Sequence, residues 1–195
     1  MYSQLGQDTW VLSRISEPGY FVDIGATDGI YNSNSYLLES RGWTGICVEP
    51  DTRIFNSLKE NRACIVENIA IYKISNLELN LVLAGEFSTL EEYIDADHHR
   101  TLRENRPLQS ITTLTLDDLL QKHNAPKNID YLSLDTEGSE LDILHSFSWD
   151  YNISLISVEH NNSKNKDALS TLLESRNYKL APEKSEWDFW YEKGQ

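Results

Sequence analysis

The chain has 195 residues, with 31 acidic and 17 basic side chains and a formal net charge of −14. This charge disfavours binding to the backbone of a nucleic acid or to an anionic membrane surface, so neither partner is expected. No apolar run approaches the roughly 20 residues needed to span a bilayer, and residues 1–4 show no leader pattern. Cys47 and Cys64 lie in apolar runs, which favours reduced core thiols in a cytoplasmic protein.

The stretch from Phe21 to Gly29, Phe-Val-Asp-Ile-Gly-Ala-Thr-Asp-Gly, predicts a buried strand followed by a tight glycine turn. A strand that ends in glycines and leads into a helix is typical of nucleotide sites in open α/β sheets, because glycine lets the backbone approach the ligand. Thr27 stands where the dinucleotide fingerprint has its second glycine, so an NAD enzyme is a poor candidate. Asp23 and Asp28 would repel a pyrophosphate, and they favour a ligand with cationic and hydroxyl groups.

Strands and helices alternate along most of the chain. Helices are expected over residues 3–15, 33–41 and 52–60, from 115, from 139, and over 164–176, and strands over 44–49, 63–67, 129–134 and 153–158. This alternation predicts the α/β class, with a Rossmann-like, mostly parallel sheet and helices on both faces. The last two strands, 178–180 and 187–191, have no helix between them and predict a C-terminal antiparallel hairpin.

Two middle regions depart from this alternation. Residues 76–83 alternate apolar and polar side chains, which predicts an antiparallel or edge strand. Residues 84–110 are polar and have no clear period, and so long a segment is expected to be a lid or binding loop. Its charged and histidine side chains are expected to be solvated, with contact to an anionic acceptor as the alternative for the arginines: His98, His99, Arg100, Arg103 and Arg106.

Polar residues follow the predicted parallel strands where each strand ends: Asp23, Glu49, Glu67, Asn68, Asp135, Glu159 and His160. The carboxyl ends of such strands meet at one edge of the sheet, so these side chains are expected to converge on one rim. Glu49 lies 24 residues after Gly25, at a position where a carboxylate accepts hydrogen bonds from ribose hydroxyls. With Asp23 it indicates an adenosine ligand that lacks a pyrophosphate. S-adenosylmethionine fits, because acids can contact its ammonium and sulfonium groups.

The same rim carries candidates for catalysis. Methyl transfer from a sulfonium is an in-line displacement that needs alignment and removal of the acceptor's proton. Asp135 is the leading candidate, because it ends a central strand; Glu137 and Glu159 add carboxylates, and His160 is a candidate general base. Asp135, Glu159 and Asn161 are candidate ligands of Mg²⁺. Carboxylates at strand ends alternatively only orient loops.

Seven pieces of the sequence occur in the order of a known family. They are Ser3–Asp8, Phe21–Gly29, Ser33–Asn34, Arg41–Pro50, Thr113–Leu119, Ile129–Glu140 and Val158–Asn161. The ordered set resembles the FkbM-type methyltransferases, a branch of the class I S-adenosylmethionine-dependent family. The resemblance implies a seven-stranded sheet and O-methylation, often of a sugar or natural-product hydroxyl. The sequence departs from the family's commoner form at Thr136, where an aliphatic residue is usual, and residues 84–110 match no part of it.

The rim and the resemblance together select the candidates for cofactor binding. They are Gln4, Asp8, Asp23, Gly25, Ala26, Asp28, Gly29, Ser33, Asn34, Glu49, Pro50, Asn68 and Asp135. Gln4 and Asp8, four residues apart, are expected to cover the cofactor from one helix face. The chain is expected to form a single methyltransferase domain over residues 1–195, with a helical cap at 1–17 and an acceptor-side loop at 84–110.

The expected activity is S-adenosylmethionine-dependent O-methylation of a hydroxyl on a small molecule or glycan. Two other classes stay open. A metal-dependent glycosyltransferase would use Asp135-Thr136-Glu137 to hold a nucleotide sugar. A non-catalytic subunit would bind an adenosine ligand without turnover. Trp187 and Trp190 are expected to pack in the interior, with stacking on a sugar ring as the alternative.

Overall fold

The computed structural model describes residues 2–183 and 185–194. The strands are β1 (Tyr20–Ile24), β2 (Thr44–Val48), β3 (Ile65–Glu67), β4 (Ala70–Ile71), β5 (Glu78–Val82), β6 (Thr89–Leu90), β7 (Leu108–Leu114), β8 (Asn128–Leu134), β9 (Asn152–Glu159), β10 (Tyr178–Leu180) and β11 (Asp188–Lys193). The helices are α1 (Gln7–Arg14), α2 (Tyr36–Ser40), α3 (Thr52–Asn61), α4 (Arg100–Arg103), α5 (Leu116–Lys122), α6 (Glu140–Ser146) and α7 (Lys166–Ser175). Two 3₁₀ helices cover Gly85–Phe87 and Glu91–Tyr93.

The central sheet has seven strands in the order β10-β11-β9-β8-β1-β2-β3. Strands β9, β8, β1, β2 and β3 run parallel. Strand β11 is antiparallel to both β9 and β10, which confirms the predicted C-terminal hairpin. Since β1, β2, β8 and β9 are parallel neighbours, their carboxyl ends lie at one edge of the sheet.

Helices cover both faces of this sheet. Side chains alternate along β1, so neighbouring residues pack against helices on opposite faces. Val22 and Ile24 pack in a buried cluster that includes Leu119 of α5, and that cluster also takes in α6 and α7. Phe21 packs on the opposite face in a second cluster, with Trp10 of α1 and residues of α2 and α3. The predicted Rossmann-like α/β fold is therefore confirmed.

A second, four-stranded sheet has the order β4-β7-β5-β6. Strand β5 is antiparallel to β7 and to β6, so residues 76–83 contain the predicted antiparallel strand. Strand β7 starts at Leu108, inside the region expected to be a loop as far as residue 110. Its β-branched run, Ile111 to Thr113, was the available strand signal, and alternate members of that run are buried.

The 84–107 segment contains secondary structure, whereas the sequence predicted a loop. It carries both 3₁₀ helices, β6 and α4. At the start of the chain, α1 begins at Gln7 and not at residue 3. The helix expected from residue 115 is α5, and it is capped at its start, because the Thr115 hydroxyl accepts from the backbone N–H of Asp118. Over residues 2–183 and 185–194, none of the helices has the length and apolar character that crossing a membrane would require.

Candidate functional site

A cavity of about 340 Å³ opens where β1, β2, β8 and β9 end. Its lining includes the turn after β1, the end of β2, and residues that follow β8 and β9. The 84–107 segment, the start of β11 and residues 69–71 also contribute to the wall. The volume falls in the range of small-molecule sites, about 300–1,000 Å³.

The turn after β1 is held tightly between its two neighbouring strands. The backbone N–H groups of Gly25 and Ala26 both donate to Val48 O at 3.0 Å. On the other side, the N–H of Asp135 donates to Ile24 O at 3.0 Å. Gly25 has a φ of +87°, and a Cβ atom placed there would lie 1.9 Å from Asp135 O. Only glycine fits at this position, because both the backbone conformation and the space exclude a side chain.

Glu49 joins the end of β2 to this turn. Its carboxylate accepts from the N–H of Thr27 at 3.1 Å and from the N–H of Asp51 at 2.8 Å. Burial raises the pKa of Glu49 to about 7, although these two hydrogen bonds favour the charged form. A carboxylate has about four acceptor positions, so Glu49 can still accept from ligand hydroxyls in the cavity.

Asp23 and Asn34 line the cavity next to the turn. The Ser35 hydroxyl donates to Asp23 at 2.5 Å, and Arg62 behind it donates to the same hydroxyl at 3.1 Å. Burial raises the pKa of Asp23, and Ser35 and Arg62 oppose that rise. Asn34 donates to Ser133 Oγ at 2.9 Å, while its Oδ1 is buried and accepts no hydrogen bond from the described residues. This oxygen is free to accept from a ligand N–H.

Three carboxylates cluster on the opposite side of the cavity. Oxygen atoms of Asp135, Glu137 and Glu159 lie within 4.8 Å of one another. Burial raises the pKa of each group, and neighbouring acids raise it further: Asp188 acts on Asp135, and Asp135 acts on both glutamates. Carboxylates this close repel one another unless they share a proton or contact a cation.

Arg103 supplies a cation behind this cluster, contrary to the expectation of a solvated charge. Its side chain is fully buried, and it donates to Asp97 Oδ2 at 2.9 Å and to Glu137 Oε2 at 2.6 Å. His99 also departs from the solvated-loop prediction, because its Nδ1 lies 3.3 Å from Glu137 Oε2 and it lines the cavity. Arg100 is exposed, as expected.

The cavity brings together most of the residues selected from the sequence. Those that line it are Gln4, Asp23, Gly25, Ala26, Ser33, Asn34, Glu49, Pro50, Asp135, Glu137, Glu159 and Asn161. Gln4 precedes α1, so it does not share a helix face with Asp8, and that part of the prediction is wrong. The functional roles of the lining residues stay predictions.

Four candidate cofactor residues lie outside the lining and stabilise nearby backbone. Asp8 is buried and accepts from the Ser3 hydroxyl at 2.6 Å. Asp28 accepts from two N–H groups of its own turn, at 2.9 and 2.8 Å. Gly29 packs against Arg62, since a Cβ there would lie 2.7 Å from that side chain. The Asn68 amide donates to two backbone carbonyls at the end of β2.

His160 also lies outside the cavity lining. Its Nδ1 accepts from the N–H of Asn162 at 3.1 Å, and its ring lies against Phe189 with centroids 4.3 Å apart. Burial lowers the pKa of His160 to about 4, and Lys166 adds to the shift. The ring is therefore neutral near pH 7, and its position gives no support to a role as general base.

Gln7 and Asp188 also line the cavity, although the sequence pattern did not mark them as candidates. The Gln7 amide donates to Asp188 Oδ2 at 2.6 Å, and burial raises the pKa of Asp188 to about 6. Asp188 pairs with Glu159 across the antiparallel strands. An antiparallel strand starts at the edge where its parallel neighbours end, so the predicted hairpin was a signal for an acid at this place.

Three solved structures are similar to the chain, and the first of them supports the fold. A precorrin-6y C5,15-methyltransferase from Geobacter metallireducens has a TM-score of 0.50 and 11% identity, over 95% of this chain and 88% of that chain. A TehB-like SAM-dependent methyltransferase from Corynebacterium glutamicum has a TM-score of 0.49 and 8% identity, over 99% and 89%. TrmK of M. capricolum, in complex with S-adenosyl-homocysteine, has a TM-score of 0.46 and 15% identity, over 95% and 66%.

No curated protein matches the chain. A family model, however, matches most of the sequence. The family model of the methyltransferase FkbM domain matches residues 23–180, which include the glycine turn, the end of β2 and the carboxylates after β8 and β9. The chain therefore belongs to the FkbM methyltransferase family of class I S-adenosylmethionine-dependent methyltransferases.

Proposed function

We propose that this protein transfers a methyl group from S-adenosylmethionine to a hydroxyl of an uncharged small molecule or glycan. The observation that carries the proposal is the composition of the cavity wall. It places Glu49 and the glycine turn beside a cluster of carboxylates, and among the described lining residues there is no lysine or arginine. Membership of the methyltransferase family sets aside the glycosyltransferase alternative.

The turn and the end of β2, here called the donor side (Asp23–Thr27, Asn34 and Glu49), fit the cofactor. Glu49 would accept from the ribose hydroxyls, as carboxylates at this position do in nucleotide-binding sheets. Asn34 Oδ1, which is buried without a partner among the described residues, would accept from the ammonium group together with Asp23. When bound, S-adenosylmethionine supplies a methyl group activated by its sulfonium.

The acceptor side comprises Asp135–Ser139, Glu159, Asp188 and the 84–107 segment. Asp135 is the proposed general base: its carboxylate takes the proton of the acceptor hydroxyl while oxygen attacks the methyl carbon. Burial and neighbouring acids raise the pKa of Asp135, which makes it a stronger base than an exposed aspartate. Phe87 and Trp187 line the same wall and offer apolar surface to a sugar ring.

The absence of a lysine or arginine from the described lining supports an uncharged acceptor. A phosphate or carboxylate on the acceptor would face Asp135, Glu137, Glu159 and Asp188 with no cation in the described wall to offset them. Such repulsion inside a cavity of low dielectric is costly. We therefore expect neutral hydroxylated compounds to react faster than their phosphorylated forms.

Binding of S-adenosylhomocysteine, measured by isothermal titration, tests the donor side. Glu49→Ala is expected to weaken binding by about tenfold or more, because it removes a charge-assisted contact to the ribose. Glu67→Ala is the matched control: Glu67 ends the next strand, outside the cavity, and contacts His123 and Lys122. Equal binding by wild type and Glu49→Ala would contradict the proposal.

Transfer of labelled methyl from S-adenosylmethionine tests the acceptor side. The panel contains neutral sugars and glycans, phenols, sugar phosphates, RNA and a peptide mixture. We expect product only from hydroxylated neutral compounds, identified as a methyl ether. Methylation of nitrogen in RNA or peptide would overturn O-methylation, and tight cofactor binding with no product would favour the non-catalytic subunit.

A divalent cation is a second candidate on the acceptor side. Asp135 and Glu159 are hard oxygen donors, and Glu137 adds a third within the same 4.8 Å. Asn161 fits less well, because its amide nitrogen is turned toward Glu137, to which it donates at 3.2 Å. A bound Mg²⁺ would lower the pKa of the acceptor hydroxyl. Loss of activity with a chelator, restored by Mg²⁺, supports this candidate; full activity in the chelator rejects it.

A further inference from the structure

Arg103 connects the 84–107 segment to the carboxylates of the acceptor side. All five N–H donors of its guanidinium are used. Two reach the carbonyls of Phe87 and Ile94 at 2.9 and 3.4 Å, and two reach Asp97 at 3.0 and 2.9 Å. The fifth reaches Glu137 Oε2 at 2.6 Å. Four contacts therefore hold Arg103 within its own segment, and one extends to the turn after β8.

Glu137 is held in a backbone conformation that its neighbours must maintain. Its φ is +59°, in the left-handed region that is unfavourable for a residue with a side chain. The Thr89 hydroxyl donates to its carbonyl at 2.9 Å, and Asn161 donates to its carboxylate. The next residue, Gly138, lies so close to the segment that a Cβ there would be 2.5 Å from Ala96 Cβ. The segment and the turn thus pack as one unit.

We infer that Arg103 is a positioning residue, which fixes Glu137 and the 84–107 segment in the arrangement that presents the acceptor to Asp135. The inference rests on the proposed function. A guanidinium has five N–H donors in a fixed plane, so it can donate to two carboxylates and two carbonyls at once. A lysine ammonium has only three donors and lacks this planar geometry. Among the described residues, no hydrogen bond joins Arg103 or Glu137 to the donor side. The inference therefore predicts an effect on the acceptor side alone.

Hydrogen exchange with S-adenosylhomocysteine bound tests the first half of the inference. Arg103→Gln and Arg103→Lys are expected to speed amide exchange in residues 84–107 and around Glu137, with no change in β1 and β2. Arg100→Gln is the matched control, because Arg100 lies on the same helix but forms exposed ion pairs with Asp95 and Glu104. Exchange in both Arg103 variants equal to that of Arg100→Gln would overturn the inference.

Steady-state kinetics test the second half of the inference, the presentation of the acceptor to Asp135. They use an acceptor identified in the methyl-transfer panel. We expect Arg103→Gln to lower kcat by about tenfold or more, as misplacement of reacting groups does, with an unchanged KM for S-adenosylmethionine and partial rescue by lysine. In the background of Glu137→Gln, Arg103→Gln should add less than about a threefold loss, because Arg103 acts through Glu137. Additive losses would overturn the inference.

If the panel yields no acceptor, that result counts against the proposed function only. The hydrogen-exchange result then decides the role of Arg103.

Discussion

The donor side and the acceptor side of the cavity are stabilised by different kinds of contact. On the donor side, backbone groups of adjacent strands bond to one another, and Gly25 and Ala26 both donate to Val48. On the acceptor side, buried side chains distant in sequence hold the wall together, such as Gln7 with Asp188 and Arg103 with Glu137. The donor side is therefore sensitive to added volume, and the acceptor side to removed charge or hydrogen bonds.

This difference allows the two sides to change independently. The backbone contacts of the donor side depend on a glycine and on strand register, so they leave little choice of residue. The side-chain contacts of the acceptor side can be replaced by other pairs that fill the same space. We expect related chains with other acceptors to differ mainly in the 84–107 segment.

The largest effect is expected from the proposed base on the acceptor side. Asp135→Asn should lower kcat by about 10²–10⁴, the usual contribution of a general base, while the Kd of S-adenosylhomocysteine changes little. Asp130→Asn is the control, since Asp130 lies at the opposite end of β8 and accepts from the N–H of Tyr20. Steady-state kinetics and titration check both variants. A loss of cofactor binding as large as the loss of kcat would remove the distinction between the two sides.

Added volume on the donor side should have the next largest effect. Gly25→Ala meets both a left-handed φ and Asp135 O, so we expect the free energy of unfolding to fall by about 3–5 kcal/mol. Gly85→Ala separates the two causes: its φ is +72°, but a Cβ there meets nothing within 4 Å. We expect that variant to lose only about 1–2 kcal/mol. Equal losses in urea unfolding would show that backbone strain alone makes Gly25 necessary.

Stability should fall as pH rises, because the buried acid Glu49 binds its proton more tightly in the folded chain. Its pKa is about 7 when folded against an ordinary 4.5, so the stabilisation is complete below pH 4.5 and is lost as pH rises through 7. The expected loss from Glu49 is on the order of 3 kcal/mol. Urea unfolding at pH 5 and pH 8 measures it, and Glu49→Gln should show a smaller difference. The same difference in both proteins would mean that Glu49 is charged throughout.

The smallest effect is expected at His160, outside the cavity. In His160→Asn the new amide oxygen can replace Nδ1 as the acceptor for Asn162, and only the packing on Phe189 is lost. We expect kcat to stay within about threefold and the free energy of unfolding to fall by about 1–2 kcal/mol. A drop in kcat of a hundredfold would restore the sequence-based hypothesis of a general base and extend the acceptor side beyond the cavity wall.

Much of the donor side could be predicted from the sequence because its signals are local. The apolar run before Gly25 and the acid at Glu49 lie at the ends of consecutive strands, and parallel strand ends meet in space. The same rule brought Asp135 and Glu159 to the cavity. It failed at His160, which follows β9 directly but accepts from the N–H of Asn162 and packs on Phe189 outside the cavity lining.

The acceptor side was only partly predicted, because its residues come from separate parts of the chain. Asp188 lies at the start of an antiparallel strand, and Gln7 lies on a helix that covers that strand's end. Arg103 looks like any solvated arginine in an acidic loop, and no periodicity marks its burial. Its buried position follows from the presence of two carboxylates, Asp97 and Glu137, which are 6 and 34 residues away.

The sequence by itself therefore determined the α/β class, the glycine turn, and the carboxylates at the ends of the parallel strands. These features depend on hydrophobic periodicity and on backbone conformation, which act over a few residues. Only the tertiary structure decided that Asp28 and Asn68 stabilise turns, that His160 lies outside the cavity lining, and that Arg103 joins the 84–107 segment to Glu137. The physical reason is that the burial of a charge is determined by partners distant along the chain.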